Sequence, residues 1–175
     1  DTVRRQRQMC IRDRINDPDK PFFNRALQGR YPPASTIKPA IGMYGLSKNI
    51  VNWDLELKDP GFFTLPETGK VFRGWRKGGH GKVNMHKAFL VSSNTFFLSL
   101  AYQANIQELS SHLSTLGFGQ KVCLDCYDED QAFVPSPEWK YSIMNAGWVK
   151  GDTVNLGIGQ GYLVATPMQL SLIHI

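Results

Sequence analysis

A chain of 175 residues with 42% hydrophobic and 11% aromatic residues is long enough for one domain with its own core, and its formal charge of +5 is modest. Three of those five positive charges fall in residues 1–14, where Arg4, Arg5, Arg7, Arg12 and Arg14 meet only Asp1 and Asp13, so the body of the chain makes no case for a nucleic-acid partner. No run of about 20 apolar residues occurs, which excludes a membrane-spanning helix within these residues.

In chain order, residues 1–14 have no apolar periodicity and no signal-peptide core, and they join Ile15-Asn16-Asp17-Pro18 abruptly. They are expected to be a non-native tail, as are residues 172–175, and the fold argument concerns 15–171. Residues 16–30 are polar around Phe22-Phe23 and predict an edge strand leading to Pro32-Pro33. Those prolines hold the approach to Ser35 extended. From Ser35 the positions Ile37, Ala40, Ile41 and Tyr44 recur at helical spacing, and Pro39 is tolerated only if the helix has just begun.

At i and i+3, Ser35 and Lys38 then share one face at the positive end of a helix dipole. A serine hydroxyl needs a base to become a nucleophile, and a lysine kept neutral by its surroundings can serve. The S-x-x-K pattern alone is a common feature of surface helices, so its weight comes from context.

After a turn at Ser47-Lys48-Asn49, the stretch from Asp59 to Trp75 predicts a small β excursion punctuated by Pro66, Gly69 and Gly74. Arg76 to Gly81 reads as a mobile basic loop, with His80 a loop histidine that nothing nearby in sequence partners. A helical pattern from Asn84 breaks at Val91-Ser92-Ser93-Asn94 and resumes over Thr95–Tyr102 as a buried central helix. In that joint Ser92 and Asn94 can point the same way, a hydroxyl to pass protons and an amide to hold a substrate amide, while Ser93 or Asn94 caps the next helix.

Asn105 with Glu108 resembles a capping box, and Gly117 ends the helix that it opens. Residues 120–150 read mostly as loop. Within them Val122–Cys126 is expected to be a short strand with structural cysteines on opposite faces, and Asp128-Glu129-Asp130 a solvated acidic face. Gly157-Ile158-Gly159-Gln160-Gly161 lacks the lysine of a P-loop and fits close backbone approach better than phosphate binding. Thr166-Pro167 starts a helix.

With S-x-x-K at Ser35 and S-x-N at Ser92–Asn94, the chain resembles the transpeptidase domain of class B penicillin-binding proteins of the rod-shape elongation type. The likeness also covers Asn24-Arg25-Ala26, Tyr31 to Pro39, Asp59-Pro60-Gly61, Gly79-His80-Gly81, Asn94 to Phe97, Pro135 to Lys140 and Gly151 through Pro167, roughly residues 16–171. It implies an α+β fold related to serine β-lactamases, a helical subdomain with an incomplete antiparallel sheet.

It also implies a peptidoglycan D,D-transpeptidase that forms a serine acyl-enzyme at D-Ala-D-Ala and is acylated by β-lactams. The implied roles are Ser35 as nucleophile, Lys38 as general base, Ser92 as proton relay and Asn94 as substrate-binding amide. No cofactor is implied. The implied partners are peptidoglycan stem peptides, a membrane glycosyltransferase and elongation-complex proteins. The implied location is the periplasmic face of the inner membrane, through an anchoring helix outside this sequence.

Two departures stand out. No Lys-Thr-Gly or Lys-Ser-Gly third motif is present, so the chain is expected to be a fragment with weak activity or none. Some relatives look as though they bind zinc through Asp, Asp, His and Cys at positions matching Asp59, Gly74, His80 and Ser93. With two of the four ligands replaced, no metal site is expected. The alternatives are a serine β-lactamase or β-lactam sensor domain, for which no residue activating a deacylating water is evident, and a non-catalytic partner of an elongation complex.

Overall fold

The computed structural model describes residues 2–172. Its centre is a helix rich in large apolar residues, α5 (Asn94–Gln103), in which Phe96, Phe97, Leu98, Leu100 and Ala101 are all buried. Burying so many neighbouring apolar positions requires partners on every side. These are α3 (Lys38–Ser47), α4 (Met85–Leu90), α8 (Lys150–Leu156) and the strand β2 (Phe62–Thr64). The amphipathic α6 (Ile106–Thr115) closes the core from the side of α3 with Ile106, Leu109 and Leu113.

The β excursion is present as two antiparallel ribbons, not one sheet. An outer pair joins β1 (Leu57–Asp59) to β4 (Gly81–Val83), and nested within it β2 pairs with β3 (Val71–Arg73). Isolated bridges link Tyr31 to Ala165 and Phe133 to Val164. The α+β class with little sheet follows.

Several local expectations are corrected. Residues 16–30 are turns followed by a one-turn helix, α2 (Arg25–Gln28), because the Asn24 side chain caps Ala26 and Leu27 and draws the backbone into a helix. Extended pairing begins only at Tyr31. The tail folds as a helix, α1 (Thr2–Ile15), with no buried residue, so nothing in the core depends on it.

Val122–Cys126 is not a strand. Cys123 and Cys126 are disulfide-bonded across a tight turn, so the two sulfurs meet instead of facing apart. The acidic run is not a solvated face either. Glu129 is buried and accepts the backbone N–H groups of Val122 and Cys123, and Asp130 pairs with Arg30 at 2.7 Å. Residues 137–144 are helical, α7 (Pro137–Met144), capped by Ser136, and its buried Lys140 pairs with the partly buried Asp152 of α8 at 2.7 Å. The last helix, α9 (Pro167–Ser171), opens with the capping box of Thr166 and Gln169.

Candidate active site

The nucleophile candidate does not open an α-helix. Ser35 lies in a 3-10 turn, Ala34–Ile37, and the α-helix begins at Lys38 with Pro39 in its first turn. The turn is entered through Ala34 at φ 49°, a left-handed conformation that is unusual for a residue with a side chain. Two long-range contacts hold it. Tyr31 exchanges backbone hydrogen bonds with Ala165, and Ala34 N–H donates to Gly159 O at 2.9 Å. Gly159, at φ 67°, lies so close to the Ala34 backbone that any side chain would collide with it. The glycine-rich stretch therefore brings two backbones together behind the serine.

Lys38 is 2% exposed, and its Nζ donates to Ser92 O at 2.9 Å, Ser92 Oγ at 2.9 Å and Asn94 Oδ1 at 2.7 Å. Ser92 Oγ in turn donates to Ser35 Oγ at 3.2 Å. The lysine is thus joined to Ser35 through Ser92. Burial lowers the Lys38 pKa to about 8. Three acceptors match the three protons of an ammonium, while the lack of water favours the neutral amine, so the group is poised between the two states.

The joint carrying Ser92 and Asn94 is irregular for a reason. Val91, Ser92 and Ser93 N–H groups fold back onto the carbonyls of Lys87, Phe89 and Ala88, and Ser92 sits at φ 50°. Ser93, fully buried, caps α5 by accepting Phe96 N–H, which leaves the Asn94 amide free for Lys38.

His80 is not a loop histidine. Its side chain is 4% exposed, and its Nδ1 lies 2.8 Å from Asp59 Oδ2, which also accepts Ser93 Oγ at 2.8 Å. Gly61 N–H donates to Asp59 Oδ1 at 2.8 Å. Burial would raise the Asp59 pKa, but the donors gathered around the carboxylate, His80 first among them, outweigh it and bring the pKa to about 2. Its partner is 21 residues away in sequence, which hid the pairing.

The cluster does not suit zinc. Both Asp59 oxygens are engaged, Gly74 has no side chain and donates its N–H to Gly61 O, and the Ser93 hydroxyl is committed to Asp59 and Phe96. Among the described residues the buried side-chain polar atoms without a partner are His80 Nε2 and Thr95 Oγ1, and of these only the imidazole nitrogen is a customary zinc ligand, far short of four donors. Among the described residues the only close group of three metal-type ligands is Cys123, Asp125 and Cys126, and its cysteines are in the disulfide.

The family model for the penicillin binding protein transpeptidase domain matches residues 5–173. The chain belongs to that family. This transpeptidase domain is 46% identical over 162 residues to the peptidoglycan D,D-transpeptidase MrdA of Acinetobacter baumannii, an alignment covering 93% of the chain and 24% of the relative. Among solved structures, penicillin-binding protein 2 of Pseudomonas aeruginosa, in complex with WCK 5153, superposes with a TM-score of 0.87 at 41% identity, over 91% of this chain and 36% of that one. The Helicobacter pylori penicillin-binding protein 2, in its complex with MreC, gives 0.85 at 32% identity, over 93% and 30%. The chain therefore spans about a quarter of the curated relative's length. The match starting at residue 5 extends into the arginine-rich helix α1.

Proposed function

We propose that this domain is the acylating part of a peptidoglycan D,D-transpeptidase, with Ser35 as nucleophile, Lys38 as base, Ser92 as proton relay and Asn94 as the amide that holds the substrate. The observation that carries the reading is the chain of contacts from Ser35 through Ser92 to a buried Lys38 that Asn94 also touches.

In the first half-reaction the Ser35 hydroxyl proton moves to Ser92 Oγ as the Ser92 proton moves to neutral Lys38 Nζ, and Ser35 Oγ bonds to the carbonyl carbon of the penultimate D-alanine. The proton returns along the same path to the departing amine as the C–N bond breaks, which leaves the acyl-enzyme and free D-alanine. The amine of a second stem peptide attacks the ester to form the cross-link and restore Ser35. A β-lactam follows the first half-reaction, but its leaving nitrogen stays tethered in the opened ring.

No Lys-Thr-Gly or Lys-Ser-Gly sequence is available in this chain to bind the substrate carboxylate, and the reading gives it weak activity or none in isolation. The substrate lies outside the cytoplasmic membrane, and the Cys123–Cys126 disulfide agrees with an oxidising compartment there. Among the described residues no helix is long and apolar enough to cross a membrane. The MreC complex of the H. pylori relative supports elongation-complex proteins as partners. A membrane glycosyltransferase, expected from the resemblance, completes that set. The test is labelling of the intact protein with a fluorescent penicillin. A stable adduct lost in Ser35→Ala is expected. Rapid penicillin turnover would favour a β-lactamase, and no labelling a non-catalytic partner.

A further inference from the structure

The excursion of residues 57–83 lies outside the serine and lysine constellation, yet it grips the Ser92–Asn94 joint from two sides. At one end Trp75 Nε1 donates to Val91 O at 3.1 Å, and at the other Asp59 Oδ2 accepts Ser93 Oγ at 2.8 Å. Between the grips sits Ser92 at φ 50°, a conformation that a residue with a side chain keeps only when its surroundings impose it.

Asp59 is itself immobilised. His80 Nδ1 occupies one of its oxygens and Gly61 N–H the other, while the His80 backbone N–H donates to Asp59 O. The carbonyl of His80 accepts Lys87 Nζ at 3.0 Å, which ties the excursion to α4 just ahead of the joint. Gly79, at φ 71°, closes on the Asp59 backbone, where a side chain would collide.

We propose that Asp59, locked by His80, is a positioning residue for acyl transfer that fixes the Ser92–Asn94 joint through the Ser93 hydroxyl, and that it does so without a metal ion. The proposal rests on the reading of Ser35 as nucleophile. A serine hydroxyl has one proton, and Asp59 determines where that of Ser93 points while its oxygen accepts Phe96 N–H. If the joint relaxed from its left-handed turn, both side-chain acceptors of Lys38 would move together and Ser92 Oγ would leave Ser35. Asparagine at 59 keeps the volume but has a single acceptor oxygen for three donors, so it cannot hold His80, Ser93 and Gly61 at once.

The test uses the intact protein. Metal is measured by plasma emission, and penicillin acylation is resolved by stopped flow into a binding constant and an acylation rate constant, alongside thermal unfolding. The expected outcome is no stoichiometric metal and no effect of EDTA on the rate. Asp59→Asn and Ser93→Ala are expected to lower the acylation rate constant by about tenfold or more, with the binding constant within about threefold. Ser93→Thr, which keeps the hydroxyl, restores the rate.

Stoichiometric zinc whose removal abolishes acylation would overturn the proposal. So would Asp59→Asn and Ser93→Ala variants that acylate at the wild-type rate constant, even if they melt earlier. Should Asp59→Asn fail to fold, the Ser93→Ala and Ser93→Thr pair decides alone. If Ser35→Ala still forms the adduct, the nucleophile assignment fails, a result separate from any of these.

Discussion

At the scale of single residues, the decisive quantity is the state of Lys38. A surface lysine titrates near 10.4, so at neutral pH it is almost never a base. Burial brings Lys38 to about 8, and because its folded pKa lies below its unfolded one, the cost of charging it is fully present below pH 8 and fades as pH rises towards the unfolded value. The kinetic sign follows. The acylation rate of the intact protein by a β-lactam is expected to rise about tenfold per pH unit below pH 8 and to level off above it. A rate that keeps climbing through pH 10 would mean that Lys38 is an ordinary lysine. Asp59 has the same sign, since its folded pKa is also the lower one, but it adds stability in its charged form and acts in a far more acidic window. With its pKa depressed to about 2, its contribution to stability is intact above about pH 4 and is lost as pH falls towards 2.

At the scale of elements, the glycine-rich segment after α8 is a support for the Ser35 turn, and two glycines separate that role from simple backbone strain. Gly159 and Gly69 have nearly the same φ, 67° and 69°, but a Cβ at Gly159 would strike Ala34 while one at Gly69 would meet nothing within 4 Å. Gly159→Ala is expected to cost about 1–3 kcal/mol in thermal unfolding and to slow acylation, whereas Gly69→Ala costs only the strain and leaves acylation unchanged. Equal effects on acylation would remove Gly159 from the support of Ser35.

The same contrast explains what the sequence could reveal. Where the signal was local, as in the apolar run of α5 or the Thr166-Pro167 start, the residues announced their structure. Where the partner was distant it was hidden. His80 needs Asp59 to become a buried residue, and Glu129 needs the folded Cys123–Cys126 turn to present it with two backbone N–H groups. The 16–30 error is of another kind. A strong side-chain cap at Asn24 outweighed a pair of aromatic residues that read as β.

At the scale of the whole molecule, the candidate site is made almost entirely from segments far apart in the chain. Lys38 and Ser92 are separated by 54 residues, Ser35 and Ser92 by 57, and Ala34 reaches still further to Gly159. No two adjacent helices produce it. Contacts of that separation carry a high loop-closure cost and form after the local ones. The consequence is temporal. When the intact protein refolds from denaturant, helical circular dichroism is expected to recover first, and the ability to capture a fluorescent penicillin to lag behind it, returning only when the Ala34–Gly159 contact and the Asp59–Ser93 grip have both closed. Simultaneous recovery of the two signals would show that the Ser35 site is assembled early. A lag would make the covalent adduct a reporter of the last contacts to form, and partly folded chains invisible to the drug.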